Sequence, residues 1–471
     1  MAAKVAKVFY LFQGMARFLA RDKTEADSLI HHLGIGLKWI HQLGANRTIG
    51  FWQVIDVKIK SITAKSVQSA ETLPTDCNTY DIAIRPESSF CIADHRIADN
   101  FFKSSQVISG DVIKGALTTM WISLLGLHNA MVDENLDSQR PELGRYFDKI
   151  HISHAIPGCQ QIRPVQQPLS LVKMDDKFYD VALCEGAGLI NGDAPAFAID
   201  WKTDDYSKIA KMFGWPDVKR ELRIHTEIDS EKRRTADKQI FAYEIVAPND
   251  NIIWDAGLNL SAVPDSDRPK LVEQLQSLVA QGLTGLGKTK TYAQMELLAP
   301  NTTRPCHDSN LDMRDGVWIL TLQTPALLCN PDCLIATESN QHDVLYQAYA
   351  EVFDDISAQA FFCYPIRSRG VYLWKRFQYP KNYQPYLLTN EGSVFVLCSQ
   401  SQEKTAKGYL KTWLRTGLPV PKWAIEKYQR DGKPGNHWSN CLYIPQNGYG
   451  EIAVNLSIHW EKAPKEKFVS V

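Results

Sequence analysis

The sequence lacks several features that would assign it to a functional class at once. Its ten cysteines include no Cys-x-x-Cys pair, so the common zinc-finger and thioredoxin-like motifs are excluded. No apolar run is long enough to span a membrane, and no signal-peptide cleavage site follows the N-terminal lysines Lys4 and Lys7. We therefore expect a cytoplasmic protein with reduced thiols and no membrane partner.

The sequence also lacks an excess of charge of either sign. Its formal net charge is −1 and its isoelectric point is about 6.9. Such a chain does not attract nucleic acid over its whole surface. Any RNA site would be a local groove, or a groove that partner chains complete.

The nearest approach to a metal-binding pattern is Cys306-His307, followed by Cys329 and Cys333. These four side chains are of the types that bind zinc, but their spacing matches no common zinc-binding motif. Zinc binding by this group therefore stays an alternative and is not our prediction.

The overall composition is ordinary for a soluble globular protein, because 44% of the 471 residues are apolar and 22% are charged. This length predicts roughly two to four domains. Polar stretches at 61–78 and 300–315 mark two boundaries. They divide the chain into residues 1–72, 79–300 and 310–471, and helical and strand-like patterns occur in each part.

The most informative stretch is Ser109-Gly110-Asp111-Val112-Ile113-Lys114-Gly115-Ala116-Leu117. Ser109 and Gly110 form a turn and helix-start signal. The apolar residues that follow have the three-and-four spacing of one buried helix face: Ile113, Ala116, Leu117, Met120 and Leu124. Lys114 then lies in the first turn beside unpaired N–H groups, so Ser109, Gly110 and Lys114 are predicted to bind a phosphate. A capped helix with a surface lysine is the alternative.

A second pattern occurs three times: a helical segment, a glycine-rich loop and a strand-like segment. The three loops are 44–52, 282–292 and 445–451, and the first leads into a predicted strand at 54–59. Each loop contains an aromatic residue, which is Phe51, Tyr292 or Tyr449. This repetition predicts an internal repeat of α+β units.

The second glycine loop matches the nucleotide-binding pattern GxxxxGK[ST] from Gly282 to Thr289. That mechanism needs a strand before the loop and a helix after it, so that the helix start points at the phosphates. Here the order is helix, loop and strand, which argues against nucleotide hydrolysis. The glycine amides with Lys288 and Lys290 are predicted to hold a phosphodiester backbone instead, and a purely structural turn is the alternative.

Two of these motifs together resemble marks of the RAMP superfamily, the proteins that bind guide RNA in CRISPR effector complexes. Ser109 to Leu117 resembles the family's start of the first helix, and Gly448-Tyr449-Gly450 resembles its late Gly-aromatic-Gly loop. The middle part is most similar to type III backbone subunits, and the last part to a handle-capping subunit of the type III-D lineage. The resemblance implies tandem modified ferredoxin-like modules of the α+β class with glycine-rich loops. It also implies guide RNA, target RNA and other effector subunits as partners.

The resemblance further implies that the helix start and the glycine loops contact the guide RNA backbone. The RNA-binding residues that we predict on this basis are Ser109, Gly110, Lys114, Gly44, Arg47, Gly50, Gly287, Lys288, Lys290, Gly448 and Gly450. Contacts of this kind would make RNA binding sensitive to salt and largely independent of RNA sequence.

Type III backbone subunits often cut target RNA with an aspartate that lies between the first strand and the first helix. The resemblance places two candidates in that loop, Asp94 and Asp99, and leaves open which of them would be the catalytic residue and ligand of Mg²⁺. A carboxylate there could hold the ion or orient a ribose 2′-OH.

Two alternatives to metal-dependent cleavage remain open. In one, the chain is a scaffold and both aspartates are solvated loop residues. In the other, the chain processes guide RNA without metal, with a histidine as general base. His31, His32 and His41 lie near the first glycine loop, although amphipathic helix positions explain them as well.

Overall fold

The structure of the chain is a computed structural model. The described residues are 22–40, 54, 56–59, 73–74, 77–98, 101–128, 130–159, 163–174, 177–183, 206–228, 235–300, 311–333, 344, 347–349, 351–353, 357–362, 365–368, 386–398, 403–429 and 441–463. The chain divides into two compact units, one of Met1–Ala70 with Trp121–Ala130 and one of Glu71–Met120 with Met131–Val471.

Within the described ranges the helices are α1 (Lys23–Lys38), α2 (Gly110–Leu124), α3 (Pro141–Tyr146), α4 (Tyr206–Met212), α5 (Arg268–Val279), α6 (Glu403–Thr416), α7 (Lys422–Lys427) and α8 (Ile458–Glu461). The strands are β1 (Thr79–Pro86), β2 (Ile92–Ala98), β3 (Phe101–Ser105), β4 (His151–Ile152), β5 (Ile156–Cys159), β6 (Leu171–Met174), β7 (Lys177–Asp180), β8 (Lys219–Ile228), β9 (Thr235–Ala247), β10 (Ile252–Asn259), β11 (Leu283–Leu286), β12 (Thr291–Leu298), β13 (Trp318–Leu322), β14 (Ser357–Phe362), β15 (Pro365–Ser368), β16 (Tyr386–Thr389), β17 (Val394–Cys398) and β18 (Ile452–Val454). None of the described helices is long and apolar enough to cross a membrane.

The smaller unit contains helix α1, whose N-terminus is capped by Asp22. The Asp22 carboxylate accepts a hydrogen bond from the backbone N–H of Glu25 at 2.8 Å, which satisfies one of the unpaired donors of the first turn. The helix lies within the segment predicted to be helical. Residues 54 and 56–59 lie in no strand, so the strand prediction is wrong for them.

The first module of the larger unit is built on a sheet in the order β11-β12-β1-β10-β4, and β5 also pairs with β10. Helix α2 follows β1 and helix α5 follows β10, which gives the β-α-β-β-α-β order of a ferredoxin-like fold. Strand β1 pairs antiparallel with both β10 and β12, at the centre of the sheet. The helices bury the residues that their spacing predicted, including Ile113, Leu117 and Met120 of α2 and Leu271 and Leu275 of α5.

The second module has the same topology. Its four-stranded sheet has the order β14-β17-β13-β18, so the first strand in sequence again lies between the third and the fourth. Helix α6 follows β17 and packs on β18. The core combines Trp318, Phe395, Leu410 and Trp413, all of which are buried. The α+β prediction of tandem ferredoxin-like modules is therefore confirmed.

A second sheet, in the order β2-β3-β9-β8, is inserted into the first module. Strands β2 and β3 form one hairpin between β1 and α2, and the longer strands β8 and β9 form another. Strand β3 pairs in parallel with β9 through Phe102 and Tyr243, which joins the two hairpins. Asp94, one of the two aspartates predicted to be catalytic, thus belongs to strand β2 of a β-hairpin and not to an irregular loop.

Candidate nucleic-acid interface

The second glycine loop is the tight turn of the β11–β12 hairpin. Gly287 has a φ of +64°, and a Cβ atom there would overlap the backbone carbonyl of Cys91 at the start of β2. The N–H of Lys288 donates to the same carbonyl at 2.8 Å. The Thr289 hydroxyl accepts from the Cys91 N–H at 3.1 Å. Close backbone packing therefore holds this turn against the β2–β3 hairpin.

This packing brings together two groups of residues that the sequence analysis predicted separately. Lys288 and Lys290 are both exposed on the turn, and Lys290 has a left-handed backbone with a φ of 51°. Strand β2, which contains Asp94, lies directly beside the turn. As expected, a strand and not a helix follows Lys288, so the geometry of a nucleotide-binding P-loop is absent here.

Asp94 occupies a special position in strand β2. Ala93 pairs with Ser104 and His95 pairs with Lys103, so Asp94 is an extra residue between two consecutive pairs. An extra residue of this kind is a β-bulge, a feature that occurs often beside active sites, where it changes the direction of a side chain. Asp99 lies outside the described residues.

Four aromatic rings form a continuous row on the sheet of β2, β3, β8 and β9. We call His225, Phe241, Tyr243 and Phe102 the aromatic row. The ring centroids of His225 and Phe241 are 5.4 Å apart with nearly parallel planes, at 11°. Phe241 lies 5.4 Å from Tyr243, and Tyr243 lies 5.8 Å from Phe102. His225 is exposed, and the other three rings are half-buried.

The glycine turn and the aromatic row meet at Lys288. The Lys288 Nζ atom lies 4.0 Å from the centroid of the Phe102 ring, which is a cation–π contact. An exposed lysine of the glycine turn and a row of aromatic rings are therefore neighbours on one surface. The sequence analysis missed the aromatic row. Its one sequence signal is the alternation of Phe241 and Tyr243, whose partners in other strands only the strand register reveals.

The predicted phosphate site assumed that the amine of Lys114 lies near solvent, and the structure differs on this point. The Lys114 side chain is buried, and Nζ donates to the backbone carbonyl of Ile150 at 2.6 Å. Burial lowers the pKa of Lys114 to about 7, while the nearby charge of Asp148 raises it. The amine thus satisfies a buried carbonyl inside the protein, because α2 packs with this face towards the core.

The start of α2 is also covered, and the third glycine loop covers it. A Cβ atom on Gly110 would overlap the carbonyl oxygens of Ile152 and Asn447. Gly448, with a φ of +84°, packs in the same way against the backbone of His154. The Tyr449 hydroxyl donates to the Asp111 carboxylate at 3.2 Å. The structure therefore brings the predicted residues Gly110 and Gly448 into one region, where the two modules contact each other, whereas Gly450 packs against Leu418 of the second module.

Ionisable groups in this contact are shifted towards their neutral forms. Burial raises the pKa of Asp111, and hydrogen bonds from Ser109 and Tyr449 oppose that shift. Burial lowers the pKa of His151 to about 4 and that of His154 to about 3. His154 Nε2 is buried without a hydrogen-bond partner among the described residues.

A buried ion pair crosses the same contact. Arg163 forms a bidentate pair with Glu451, with a distance of 2.7 Å from Nη2 to Oε2. Further along the same segment, Asp180 Oδ2 lies 3.0 Å from His459 Nδ1, and His459 Nε2 lies 3.0 Å from the Thr321 hydroxyl. The segment that follows β5 is thus fastened to the second module by charged and polar groups.

Several predicted residues lie outside the described part of the chain, namely Gly44, Arg47, Gly50, His41, Asp99, Cys306 and His307. Burial raises the pKa of the Cys329 thiol to about 11, which opposes the thiolate form that a zinc ligand needs. Among the described residues, no group of three or more His, Cys, Asp or Glu side chains could hold a metal ion.

No protein-family model matches this chain, and no curated protein matches it either. Among solved structures, it is similar to a chain of the type III-B Cmr-beta complex bound to cognate target RNA and AMPPnP, with 11% identity and a TM-score of 0.31 over 70% of this chain and 88% of that chain. It is also similar to a chain of the Csm3-Csm4 subcomplex of a type III-A CRISPR-Cas interference complex, with 12% identity and a TM-score of 0.31 over 67% and 92%. Because the identities and TM-scores are low, we base the function on the side chains described above and on the sequence.

Proposed function

We propose that this chain is a guide-RNA-binding backbone subunit of a type III CRISPR effector complex that serves antiviral defence. One observation carries the proposal: Lys288 and Lys290 are exposed on a glycine turn that is packed against the β2–β3 hairpin. Two ammonium groups on a fixed turn suit the phosphates of an RNA strand. The resemblance of Ser109 to Leu117 and of the Gly448-Tyr449-Gly450 loop to RAMP proteins supports this reading.

The charge of the chain fits a subunit that shares its RNA with neighbours. A net charge of −1 gives no general attraction for RNA, so binding would depend on a few local cations. Phosphate contacts carry no sequence information, and they suit a protein that must hold any guide. In this reading, neighbouring effector subunits complete the RNA-binding groove.

Salt dependence of RNA binding tests the proposed phosphate contacts. Each phosphate that a lysine neutralises contributes about 0.7 to the slope of log Kobs against log salt for a single strand. We expect Lys288→Gln and Lys290→Gln each to weaken binding of an unstructured RNA for every sequence tried, and to reduce this slope by about 0.7. Fluorescence anisotropy of a labelled RNA measures both quantities.

Lys149→Gln is the matched control. Lys149 is exposed and also lies over an aromatic ring, with Nζ 5.4 Å from the Tyr146 centroid, but it is outside the glycine turn. We expect this variant to bind as the wild type does. If all three variants keep the wild-type slope, the glycine turn does not bind RNA phosphates and the proposal loses its main support.

Cleavage of target RNA is a second function, and the bulge at Asp94 favours it. Mg²⁺ is commonly held by one or two carboxylates together with substrate phosphates, so Asp94 and Asp99 are a donor set that fits this ion. When bound, the ion would stabilise negative charge on the scissile phosphate. Asp94 would position it at the hairpin beside Lys288.

Cleavage by the reconstituted complex with Mg²⁺ tests this second function. We expect Asp94→Asn to abolish one cut in target RNA while the complex still assembles on guide RNA. Asp99→Asn reports whether the second carboxylate is also needed. If every cut survives in both variants, the chain is a scaffold. Cutting that needs no Mg²⁺ would point to histidine chemistry, for which exposed His31 and His32 on α1 are the described candidates.

A further inference from the structure

The aromatic row lies on the part of the β8–β9 hairpin whose side chains are no longer fully buried. Ile245 and Val246 of β9 are fully buried, whereas Phe241 and Tyr243, which precede them in the same strand, are only half-buried. Large aromatic surfaces that stay in water at a hairpin commonly mark a binding site, because covering them is favourable. The row is therefore a surface for a partner and not an extension of the core.

The charges beside the row indicate an anionic partner. Lys288 covers Phe102, and Arg223 is the cross-strand neighbour of Tyr243. Arg223 lies 3.9 Å from Glu221, which also pairs with Lys219 at 2.9 Å. A cation at each side of the tyrosine would contact the backbone of a strand whose bases lie on the rings.

We propose that the aromatic row stacks on unpaired nucleobases of single-stranded RNA, while Lys288 and Arg223 contact the adjoining phosphates. The inference rests on the proposed RNA-binding function and adds a base-stacking site that the phosphate contacts alone do not require. Every nucleobase has a π face, so stacking of this kind tolerates any sequence. Sheets with a few exposed aromatic side chains hold about two or three bases, which suits a row of four rings.

The side chain of Lys288 lies where base stacking and phosphate binding would meet. Its amine now lies above Phe102, at the place where a base would stack on that ring. A base that takes this place would displace the amine towards the RNA backbone, where it gains a phosphate partner. The glycine turn keeps the lysine backbone fixed, so only the flexible side chain has to move.

Abasic RNA separates stacking from phosphate binding. The full-length chain is mixed with a short unstructured RNA that contains the fluorescent base 2-aminopurine, and with an abasic RNA of the same length. We expect Tyr243→Leu and Phe241→Leu each to weaken binding of the intact RNA by about fivefold to a hundredfold, and to remove the fluorescence quenching that stacking causes. Neither variant should change the affinity for abasic RNA.

Tyr409→Leu is the matched control, because Tyr409 is a half-buried tyrosine in the second module whose ring lies beside that of Trp413, with centroids 6.1 Å apart. We expect it to bind both RNAs as the wild type does. Thermal unfolding by circular dichroism identifies any variant that fails to fold. His225→Gln, at the exposed end of the row, gives a variant that leaves the half-buried rings in place.

The outcomes distinguish this inference from the function on which it rests. If the row variants bind intact RNA as tightly as the wild type, the stacking site is refuted while the phosphate proposal stands. If they bind RNA normally but lose a neighbouring subunit from the reconstituted complex, the row is a protein-docking surface and the inference fails. If the wild type binds neither RNA at any salt concentration, the proposed function fails and this inference fails with it.

Discussion

At the scale of single residues, Lys114 shows how burial changes the meaning of a motif. The same lysine in the first turn of a helix would bind phosphate if its side chain reached solvent. Here α2 packs so that Nζ reaches the carbonyl of Ile150, which is 36 residues further along the chain. The amine therefore contributes to the fold, and the exposed Lys288 and Lys290 remain the candidates for RNA phosphates.

The buried amine makes a pH-dependent contribution to stability. The pKa of Lys114 is about 7 in the folded chain and about 10.5 in its ordinary range. Between these values the unfolded chain binds a proton that the folded chain lacks, so this group makes stability rise with pH. The slope approaches about 1.4 kcal/mol per pH unit.

We expect Lys114→Met to remove this slope, because methionine does not titrate. The measurement is urea denaturation at several pH values between about 7.5 and 9.5, with the free energy of unfolding of the variant subtracted from that of the wild type. The subtraction cancels the titration of other groups. Lys149→Met, at an exposed lysine, should leave the slope as it is. An equal slope for Lys114→Met would show that the amine is charged when buried.

At the scale of elements, helix α2 contains two glycines, one in close contact with other backbone segments and one in open space. Gly110 lies against the carbonyl oxygens of Ile152 and Asn447, and it has no room for a Cβ atom. Gly115, one and a half turns further along, has no atom within 4 Å of that position. The first glycine permits close packing between α2 and the third glycine loop, and the second has no such role.

We expect Gly110→Ala to destabilise the chain by about 1 to 3 kcal/mol or more, because two backbone segments must move apart. Gly115→Ala is the matched control on the same helix. It should stabilise the chain by about 0.5 to 1 kcal/mol, because alanine is the better helix former at an exposed position. Urea denaturation of both variants checks the contrast, and equal effects would place the third glycine loop away from the start of α2.

At the scale of the whole molecule, the two ferredoxin-like modules are joined by a charged contact. Arg163 and Glu451 are 5% and 16% exposed, so both charges of the pair are largely removed from water. Breaking a buried ion pair by removing one partner generally costs more free energy than the intact pair contributes.

We expect Glu451→Gln to lower the free energy of unfolding by about 3 to 5 kcal/mol, and the double variant Arg163→Met with Glu451→Leu to recover much of that loss. Urea denaturation of the single and double variants gives the coupling energy. The exposed pair of Arg85 and Glu296, at 3.2 Å, is the control. Its removal should cost less than about 1 kcal/mol. A small loss for Glu451→Gln would mean that water reaches the pair.

The sequence by itself determined those features that depend on near neighbours along the chain. The spacing of Ile113 and Leu117, like that of Leu271 and Leu275, fixed two buried helix faces, because helical periodicity places such residues on one side. The recurring order of helix, glycine loop and strand predicted the α+β modules. The turn at Gly287 was also predicted, because glycine reaches backbone angles that other residues avoid.

Only the tertiary structure decided which of the predicted groups face solvent. Nothing near Lys114 in the chain indicated that its amine would bond to the Ile150 carbonyl, or that Tyr449 would bond to Asp111 from 338 residues away. The aromatic row likewise depends on a register that pairs His225 with Phe241, and Tyr243 with Phe102. Contacts between distant segments follow from the packing of complete sheets and helices. No local pattern encodes them, and they place the candidate RNA interface at Lys288 instead of at the start of α2.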